Sequence, residues 1–279
     1  MAATIADALR TAAERLSATS DTARLDAELL MAHALGVSRS DLLLRHMRDC
    51  VPTGFEPLME RRAAREPVAH ILGEQDFYGR TFRVTPATLI PRGDSEVLVE
   101  AALALDPQPR RVLDLGTGTG ALLLSVLAET DAEGVATDRS AAALAIAQEN
   151  AERLCLAARA RFEERNWHEA GWASDLGVFD LILCNPPYVE DNADLDPDVR
   201  DYEPGSALFA GAEGLDDYRA LLPQLAGLLV PKGVAIFEIG AGQADAVASL
   251  AAAEGFAAKL HRDLAGRPRA LAMKRGINQ

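Results

Sequence analysis

Apolar positions recur at helical spacing through the first 72 residues, with polar or turn-forming residues before each new run. The apolar stripes are Ile5, Leu9, Ala12 and Leu16, then Leu25, Leu29 and Ala32 after a Thr-Ser-Asp cap at 19–21, then Phe55, Leu58, Met59 and Ala63 after Pro52-Thr53-Gly54. Stripes of this kind are typical of helices that bury one face. The pattern therefore predicts a small helical domain at the N-terminus.

Short alternating segments follow. FYGRTFRV at 77–84 predicts a β-hairpin with Gly79 at its turn, and the next stretch reads as a linker leading into a helix from Ser95. We expect an N-terminal helical domain at 1–74, a β-hairpin and linker at 75–93, and a larger domain at 94–279.

Strand and helix patterns alternate from residue 110 onward. The predicted strands are RVLDL, GVATD, ARFEE, FDLILC and GVAIFEI, and the predicted helices are ALLLSVLAET, AAALAIAQENAERL, YRALLPQLAGLL and ADAVASLAAAEG. Such alternation favours an α/β domain with a parallel sheet covered on both faces. FAAKLHRD and RALAMK lie close together at the end of the chain, which predicts an antiparallel hairpin at the edge of the sheet.

The charge and cysteine content exclude several classes of protein. The net charge of −14 disfavours broad binding to nucleic acid, because phosphate affinity comes mainly from Lys and Arg. The three cysteines are widely spaced and indicate neither a disulfide framework nor a zinc site. No segment approaches the ~18 apolar residues of a membrane helix, and the N-terminus does not read as a signal peptide. We expect a cytoplasmic protein without a metal.

The strongest local motif is a glycine-rich loop between a predicted strand and a predicted helix. It runs Asp114-Leu-Gly116-Thr117-Gly118-Thr119-Gly120, and its glycines permit a tight turn that a ligand can approach closely. The same string fits a dinucleotide-binding pattern, so alone it does not identify the ligand.

Two more residues extend this candidate cofactor site. Asp138 ends the next strand, where a carboxylate can accept both ribose hydroxyls. Trp167 follows the third strand, where its face could cover an adenine. An acidic domain suits the sulfonium cation of S-adenosylmethionine, which favours that cofactor over a nicotinamide.

A second motif, Asn185-Pro186-Pro187-Tyr188, stands directly after FDLILC. Ligands of open α/β sheets sit beyond the carboxyl ends of the strands, so we expect this motif to face the same crevice as the glycine loop. Each residue before a proline is pushed into an extended conformation, which turns the Pro186 carbonyl outward. A planar NH2 group can then donate one hydrogen to the Asn185 side chain and the other to Pro186, with Tyr188 stacked on its face.

That arrangement answers a chemical need. An amide nitrogen is a weak nucleophile because its lone pair is delocalised, and two acceptors on its hydrogens would localise the lone pair and aim it at a sulfonium methyl. Positioning and fixed dipoles would then carry most of the rate. The neighbouring Cys184 is predicted to be a buried strand-end residue rather than a nucleophile.

These motifs together resemble the HemK/PrmC family of peptide chain release factor glutamine methyltransferases, over nearly the whole chain. The resemblance rests on TLIPRGDSEVLVE (88–100), DLGTGTGALLLS (114–125), ATDRSAAALAIAQENA (136–151), NPPYVE (185–190), DVRDYEPGSALFAGAEGLDDYR (198–219) and DLAGRPRAL (263–271). NPPY is shared with other amino methyltransferases, but its combination with the upstream and downstream segments is much more specific.

The resemblance implies a class I SAM-dependent methyltransferase fold. This is a Rossmann-like, mostly parallel seven-stranded sheet with an antiparallel C-terminal edge hairpin, plus a small N-terminal helical domain that recognises the substrate. It implies N5-methylation of the glutamine in the Gly-Gly-Gln loop of class I release factors, with S-adenosyl-L-homocysteine as the second product. Carried over by position, cofactor contacts fall on Gly116 to Gly120, Asp138, Trp167 and Asn185, and the substrate glutamine falls on Asn185 to Tyr188.

The sequence departs from the family pattern at Gly93, where a second proline or similar residue is usual, and at Asn166, where Asp is frequent. Arg92 and Glu96 could line the site or only brace the linker, and we expect bracing. Two other functions use the same catalytic loop. These are N5-glutamine methylation of a ribosomal protein and adenine-N6 methylation of nucleic acid, the second of which the acidic charge disfavours.

Overall fold

The computed structural model describes residues 4–276, which fall into two compact units. One unit comprises the N-terminal residues through Glu74 together with the segment Leu195–Tyr202. The other comprises Gln75–Asp194 and the chain from Glu203 onward. The domain bounds expected from the sequence did not include the return of Leu195–Tyr202 to the N-terminal unit.

From residue 110 strands and helices alternate as expected, except that the helix predicted over YRALLPQLAGLL is divided into two short helices by a 3-10 turn at Leu222–Gln224. The helices are α1 (Ile5–Leu16), α2 (Ala23–Leu35), α3 (Arg39–Asp41), α4 (Phe55–Ala63), α5 (Val68–Leu72), α6 (Glu96–Leu103), α7 (Ala121–Glu129), α8 (Ala141–Arg153), α9 (Pro197–Arg200), α10 (Asp216–Leu221), α11 (Leu225–Leu228) and α12 (Ala244–Ala253). The strands are β1 (Glu74–Phe77), β2 (Arg80–Arg83), β3 (Arg111–Leu115), β4 (Glu133–Asp138), β5 (Ala160–Glu164), β6 (Phe179–Cys184), β7 (Leu229–Glu238), β8 (Phe256–Arg262) and β9 (Pro268–Arg275).

The N-terminal unit is helical, and its first helix follows the expected stripe. Thr4 caps α1 by accepting from the Asp7 backbone N–H, and the residues of the stripe are buried. The stripe expected for α2 is right at Ala32, which is buried, but wrong at Leu25, which is 40% exposed while Asp26 and Glu28 are buried. The N-cap is Thr22 rather than a residue of 19–21. The two acids turn inward because arginines meet them there.

A buried arginine holds this unit together. Arg62 is 5% exposed. It donates from Nε to Asp26 and from Nη1 to Asp198, and the donor–acceptor distance is 2.7 Å in both hydrogen bonds. Burial by itself opposes the charge on Arg62, but the hydrogen bonds to both carboxylates outweigh it and raise the pKa of the guanidinium. Tyr202 adds a hydrogen bond to the Ala64 carbonyl at 2.7 Å. These contacts fix the segment Leu195–Tyr202 on the helices that precede it by more than a hundred residues.

The second unit contains a sheet that confirms the expected fold class. Within residues 4–276 this sheet has seven strands in the order β5-β4-β3-β6-β7-β9-β8, and β1 and β2 form a separate hairpin. Strands β3 to β7 pair in parallel, whereas β9 pairs antiparallel with both β7 and β8. The C-terminal hairpin is therefore antiparallel as expected, with β8 at the edge and β9 between β8 and β7.

Both faces of this sheet are covered by helices. Side chains alternate along each strand, so Val112, Leu181 and Ile236 join one apolar layer with residues of α6 and α7. Leu113 and Phe237 join the other layer with residues of α10, α11 and α12. Burial on both faces explains why the central strands read as continuous apolar runs. Among residues 4–276, no helix combines the length and the apolar character that crossing a membrane requires.

Replacing Arg62 by alanine tests the buried cluster. Arg62→Ala leaves two carboxylates without their shared cation, and we expect it to lower the free energy of unfolding by about 3–5 kcal/mol. Arg15→Ala is the control, because it removes an exposed ion pair with Glu56, and such pairs contribute about 0–1 kcal/mol. Urea unfolding followed by circular dichroism measures both. Equal losses in the two variants would contradict a central role for Arg62.

Candidate active site

The register of the parallel strands places the predicted motifs along one edge of the sheet. Leu115 of β3 lies opposite Thr137 of β4 and opposite Cys184 of β6. The residues that follow, Gly116, Asp138 and Asn185, therefore leave neighbouring strands at the same level. This is the carboxyl edge, where open α/β sheets bind their ligands.

The glycine loop turns sharply between β3 and α7. The backbone N–H groups of Gly116 and Thr117 both donate to the Thr137 carbonyl at 2.9 Å, which pins the start of the loop to β4. Gly116 has a φ of +70°, and a Cβ there would lie 3.1 Å from the ring of Trp167. Gly118 has a φ of +54° with open space where a side chain would point. The loop therefore presents bare backbone to a ligand, as the sequence predicts.

Asp138 bridges the loop and the next helix. Its Oδ2 accepts from the Gly118 N–H at 3.0 Å, and its Oδ1 accepts from the Ser140 N–H at 2.9 Å. Burial raises the pKa of Asp138, and the two backbone donors moderate that rise. Each carboxylate oxygen has a second acceptor position, so the group can still accept from a ligand hydroxyl.

The indole of Trp167 is held by Asp217, an acid that the sequence analysis did not single out. Its Nε1–H donates to Asp217 Oδ1 at 2.7 Å, and His168 Nε2 lies 2.9 Å from the same oxygen. Asp217 is itself buried and lies in the first turn of α10. The tryptophan therefore has a fixed orientation, with its ring against the glycine loop at Gly116.

The segment Asn185–Tyr188 leaves β6 without regular secondary structure, and both prolines are buried. Among the described residues, none forms a hydrogen bond with the Asn185 side-chain amide, which leaves its oxygen available to a ligand. Tyr188 donates its hydroxyl to Glu238 Oε1 at 3.3 Å. Cys184, the residue before the motif, is fully buried, and burial raises its pKa well above the usual value, so it is not a reactive thiolate.

A cavity of about 280 Å³ opens in front of these residues. The predicted site residues that line it are Gly116, Thr117, Gly118, Thr119, Asp138, Trp167, Asn185 and Pro187. Gly120, Pro186 and Tyr188 do not line it. Gly120 instead packs closely against Leu124 and Ala147, where a side chain would not fit.

The linker forms another wall of this cavity. Residues 87–92 line it, and the buried Glu203 holds them by accepting from the Ile90 N–H at 3.0 Å and from Arg92 at 2.7 Å. Glu96 accepts from the Tyr78 N–H at 2.8 Å and so braces the hairpin. Gly93 begins a 3-10 turn that leads into α6.

Two asparagines have supporting roles, one noted in the sequence analysis and one missed by it. Asn166 does not line the cavity, and its Oδ1 accepts from the His168 N–H at 3.1 Å. Asn150, which the sequence analysis did not single out, is fully buried on α8 and donates to the Thr119 carbonyl at 2.9 Å. It also exchanges hydrogen bonds with the backbone of Arg83, so it ties the glycine loop to the hairpin. A polar residue on the apolar face of α8 was the available signal for it.

Asp114 lies buried beneath the glycine loop. Its Oδ2 accepts from the Thr117 hydroxyl at 2.6 Å, whereas Oδ1 has no partner within the described part of the chain. Burial raises the pKa of Asp114 to about 7, although the Thr117 hydrogen bond acts in the opposite direction.

The raised pKa predicts how stability depends on pH. An unfolded aspartate has a pKa of about 3.9, so between that value and pH 7 the folded state holds a proton that the unfolded state has lost. This contribution to stability is complete below pH ~4 and is lost as the pH rises through 7. We expect Asp114→Asn, which stays neutral, to reduce the fall in urea midpoint between pH 5.5 and 8. Asp191→Asn, at an exposed position, is the control, and an identical fall in Asp114→Asn and wild type would contradict the assignment.

Comparisons with known proteins bear on the family to which the chain belongs. A model of the PrmC N-terminal domain matches residues 7–73, and a model of the methyltransferase small domain matches residues 93–201. The chain is 46% identical to a release factor glutamine methyltransferase of Cereibacter sphaeroides over 95% of this chain and 96% of that one. It is 39% identical to a protein of the same name from Nitratidesulfovibrio vulgaris, over 99% and 97% of the two chains.

A solved structure adds information about the fold alone. A methyltransferase from Pyrococcus furiosus aligns with 80% of this chain and all of its own chain, at 18% identity and a TM-score of 0.54. The family itself is shown by the two sequence relatives, whose identity extends over nearly the full length. On that basis, the chain belongs to the family of release factor glutamine methyltransferases.

Proposed function

We propose that this chain transfers the methyl group of S-adenosylmethionine to the side-chain amide nitrogen of the glutamine in the Gly-Gly-Gln loop of class I release factors. The observation that carries the proposal is the position of the Asn185 side chain. Its amide has no hydrogen bond with another described residue, and it lines the same cavity as Gly116, Asp138 and Trp167. The relatives are named release factor glutamine methyltransferases, which supports the proposal.

The cavity suits a nucleoside that carries a positive charge. The glycine loop presents bare backbone: a Cβ at Gly116 would lie 3.1 Å from the Trp167 ring, and a Cβ at Gly118 would point into open space. Two carboxylates, Asp138 and Asp217, face the cavity. Asp138 would hold the ribose hydroxyls and Trp167 would cover the adenine. S-adenosylmethionine, when bound, supplies a methyl group on a positively charged sulfur.

The segment Asn185–Tyr188 would act on the glutamine. Asn185 Oδ1 and the Pro186 carbonyl would accept one amide hydrogen each, which orients the nitrogen and localises its lone pair. Pro187 would keep Pro186 in an extended conformation, and Tyr188 would pack against the flat carboxamide. Since methylation makes the nitrogen acidic, the proton leaves afterwards without a strong base, and fixed orientation supplies most of the rate.

The helical unit would hold the protein substrate. We propose residues 1–74, with the segment Leu195–Tyr202 packed on them, as the recognition domain, residues 75–93 as the hairpin and linker, and the rest of residues 94–279 as the methyltransferase domain. A release factor acts in translation, so the reaction would take place in the cytoplasm. The net charge of −14 argues against a stable complex with nucleic acid in its place.

Replacing Asn185 separates catalysis from cofactor binding. We expect Asn185→Ala to lower kcat by at least about 100-fold, because the amide nitrogen loses one of two orienting acceptors. S-adenosylmethionine affinity should fall by no more than about tenfold, since the other cavity residues remain. Radiolabel transfer and calorimetric titration measure the two effects. A wild-type rate in this variant would remove the proposed amide clamp.

The identity of the substrate is tested by replacing the loop glutamine of the release factor. Purified chain with radiolabelled S-adenosylmethionine should label a class I release factor, and a release factor whose loop glutamine is alanine should take up no label. A nucleic acid duplex and a ribosomal protein mixture serve as competing acceptors in parallel reactions. Label that persists on the glutamine-free release factor, or that appears only on a competing acceptor, would overturn the proposal.

A further inference from the structure

A buried glutamate stands at the end of β7, beside the catalytic segment. Cys184 of β6 lies opposite Phe237 of β7, so the residues that follow, Asn185 and Glu238, leave neighbouring strands at the same level. Glu238 is only 2% exposed, and nothing in the proposed reaction so far uses it. A carboxylate so deeply buried lowers the stability of the fold unless a specific contact compensates for its lost hydration.

That contact is with Tyr188, which the end of β7 holds from two sides. Glu238 Oε1 accepts from the Tyr188 hydroxyl at 3.3 Å. Gln243, which follows the strand, donates to the Tyr188 carbonyl at 3.0 Å and accepts from the Gly240 N–H at 3.0 Å. The ring and the backbone of Tyr188 are thereby fixed independently of Asn185.

The groups around the carboxylate leave it partly unsatisfied. Glu238 Oε2 and Ser95 Oγ have no hydrogen-bond partner of normal geometry among the described residues. The Ser95 hydroxyl is nevertheless close enough to lower the pKa of Glu238. Arg269, whose Nη2 donates to Asp94 at 2.8 Å, adds a positive charge nearby without bonding to Glu238 directly.

These surroundings bring the pKa of Glu238 close to neutral pH. Burial raises its pKa to about 7, while Ser95, Arg269 and Tyr188 lower it and Asp94 raises it further. The other titratable groups that interact with it electrostatically, Cys184 and Tyr218, stay neutral because burial raises both of their pKa values. The carboxylate therefore changes charge over the range in which the enzyme would work.

We propose that Glu238 is a positioning residue for methyl transfer. Its carboxylate orients the phenol of Tyr188 so that the ring can pack against the carboxamide that Asn185 and Pro186 bind. The inference rests on the proposed function for its kinetic consequences and on the contact at β7 for its structural content. A hydrocarbon side chain at this position would fill the same space but would leave the Tyr188 hydroxyl buried without an acceptor.

Kinetics distinguish positioning from a general structural role. We expect Glu238→Ala to lower kcat by about 10- to 100-fold while the dissociation constant for S-adenosylmethionine changes by less than about threefold. Glu238→Gln keeps an oxygen that accepts from Tyr188, so it should recover kcat to within about fivefold of wild type. In a Tyr188→Phe background, Glu238→Ala should cost less than about threefold, because the contact is already absent.

The pH profile adds a readout that packing alone would not move. In wild type, kcat should rise as the pH increases through about 7, because the ionised carboxylate is the stronger acceptor for the phenol. This rise should be absent in Glu238→Gln. The proposal is overturned if the losses from Glu238→Ala and Tyr188→Phe are additive, if cofactor affinity falls in parallel with kcat, or if Glu238→Gln keeps the wild-type profile.

A spectroscopic measurement tests the contact without any substrate. The full chain labelled with ¹³C at tyrosine Cζ has four such positions, and Tyr188→Phe assigns the signal of Tyr188. That signal should shift with a midpoint near pH 7 in wild type and in the control Glu28→Gln, which changes another buried glutamate, but not in Glu238→Gln. A Tyr188 signal that does not depend on Glu238 would overturn the proposal. If that dependence holds and no release factor is methylated, the proposed function fails while the contact stands.

Discussion

Parallel pairing in matched register is the constraint on which the site depends. Because Leu115, Thr137 and Cys184 lie side by side, the chain leaves each of their strands at the same level of the sheet. Segments separated by up to seventy residues in sequence thus meet at one edge of the sheet, where hydrogen bonds such as that from the Gly118 N–H to Asp138 then join them. The same register brings the end of β7 beside that of β6. Burial of the strands on both faces fixes this register, since a slip by one residue would turn every apolar side chain to the wrong layer.

Buried carboxylates recur around the cavity, and their partners differ. Asp217 is paired by Trp167 and His168, whereas Asp114 and Glu238 each keep one oxygen without a partner among the described residues. Burying acids in this way costs stability as the pH rises, which a protein tolerates where the groups serve a site. The acidic surroundings also suit a cationic ligand more than a phosphate-bearing one.

The fold and the two motifs could be predicted because they depend on local patterns. Strand periodicity, glycines between strand and helix, and a polar tetrapeptide after an apolar strand are all visible in neighbouring residues. The supporting contacts could not be predicted, because they join residues far apart in sequence. Arg62 meets Asp198 and Arg92 meets Glu203 only after the chain has folded. Burial of Asp26 on α2 could not be predicted for the same reason, since its partner Arg62 lies 36 residues away, whereas Glu28 is paired by the nearer Arg24 and Arg39.

The central claim is that a corner braced by two prolines binds both hydrogens of a glutamine carboxamide. The most direct measurement is a crystal structure of this chain with S-adenosylhomocysteine and a peptide containing Gly-Gly-Gln. We expect the glutamine amide nitrogen to lie within about 3.2 Å of both Asn185 Oδ1 and the Pro186 carbonyl oxygen, with its free side toward the sulfur. A carboxamide that contacts neither oxygen, or whose nitrogen points away from the sulfur, would contradict it.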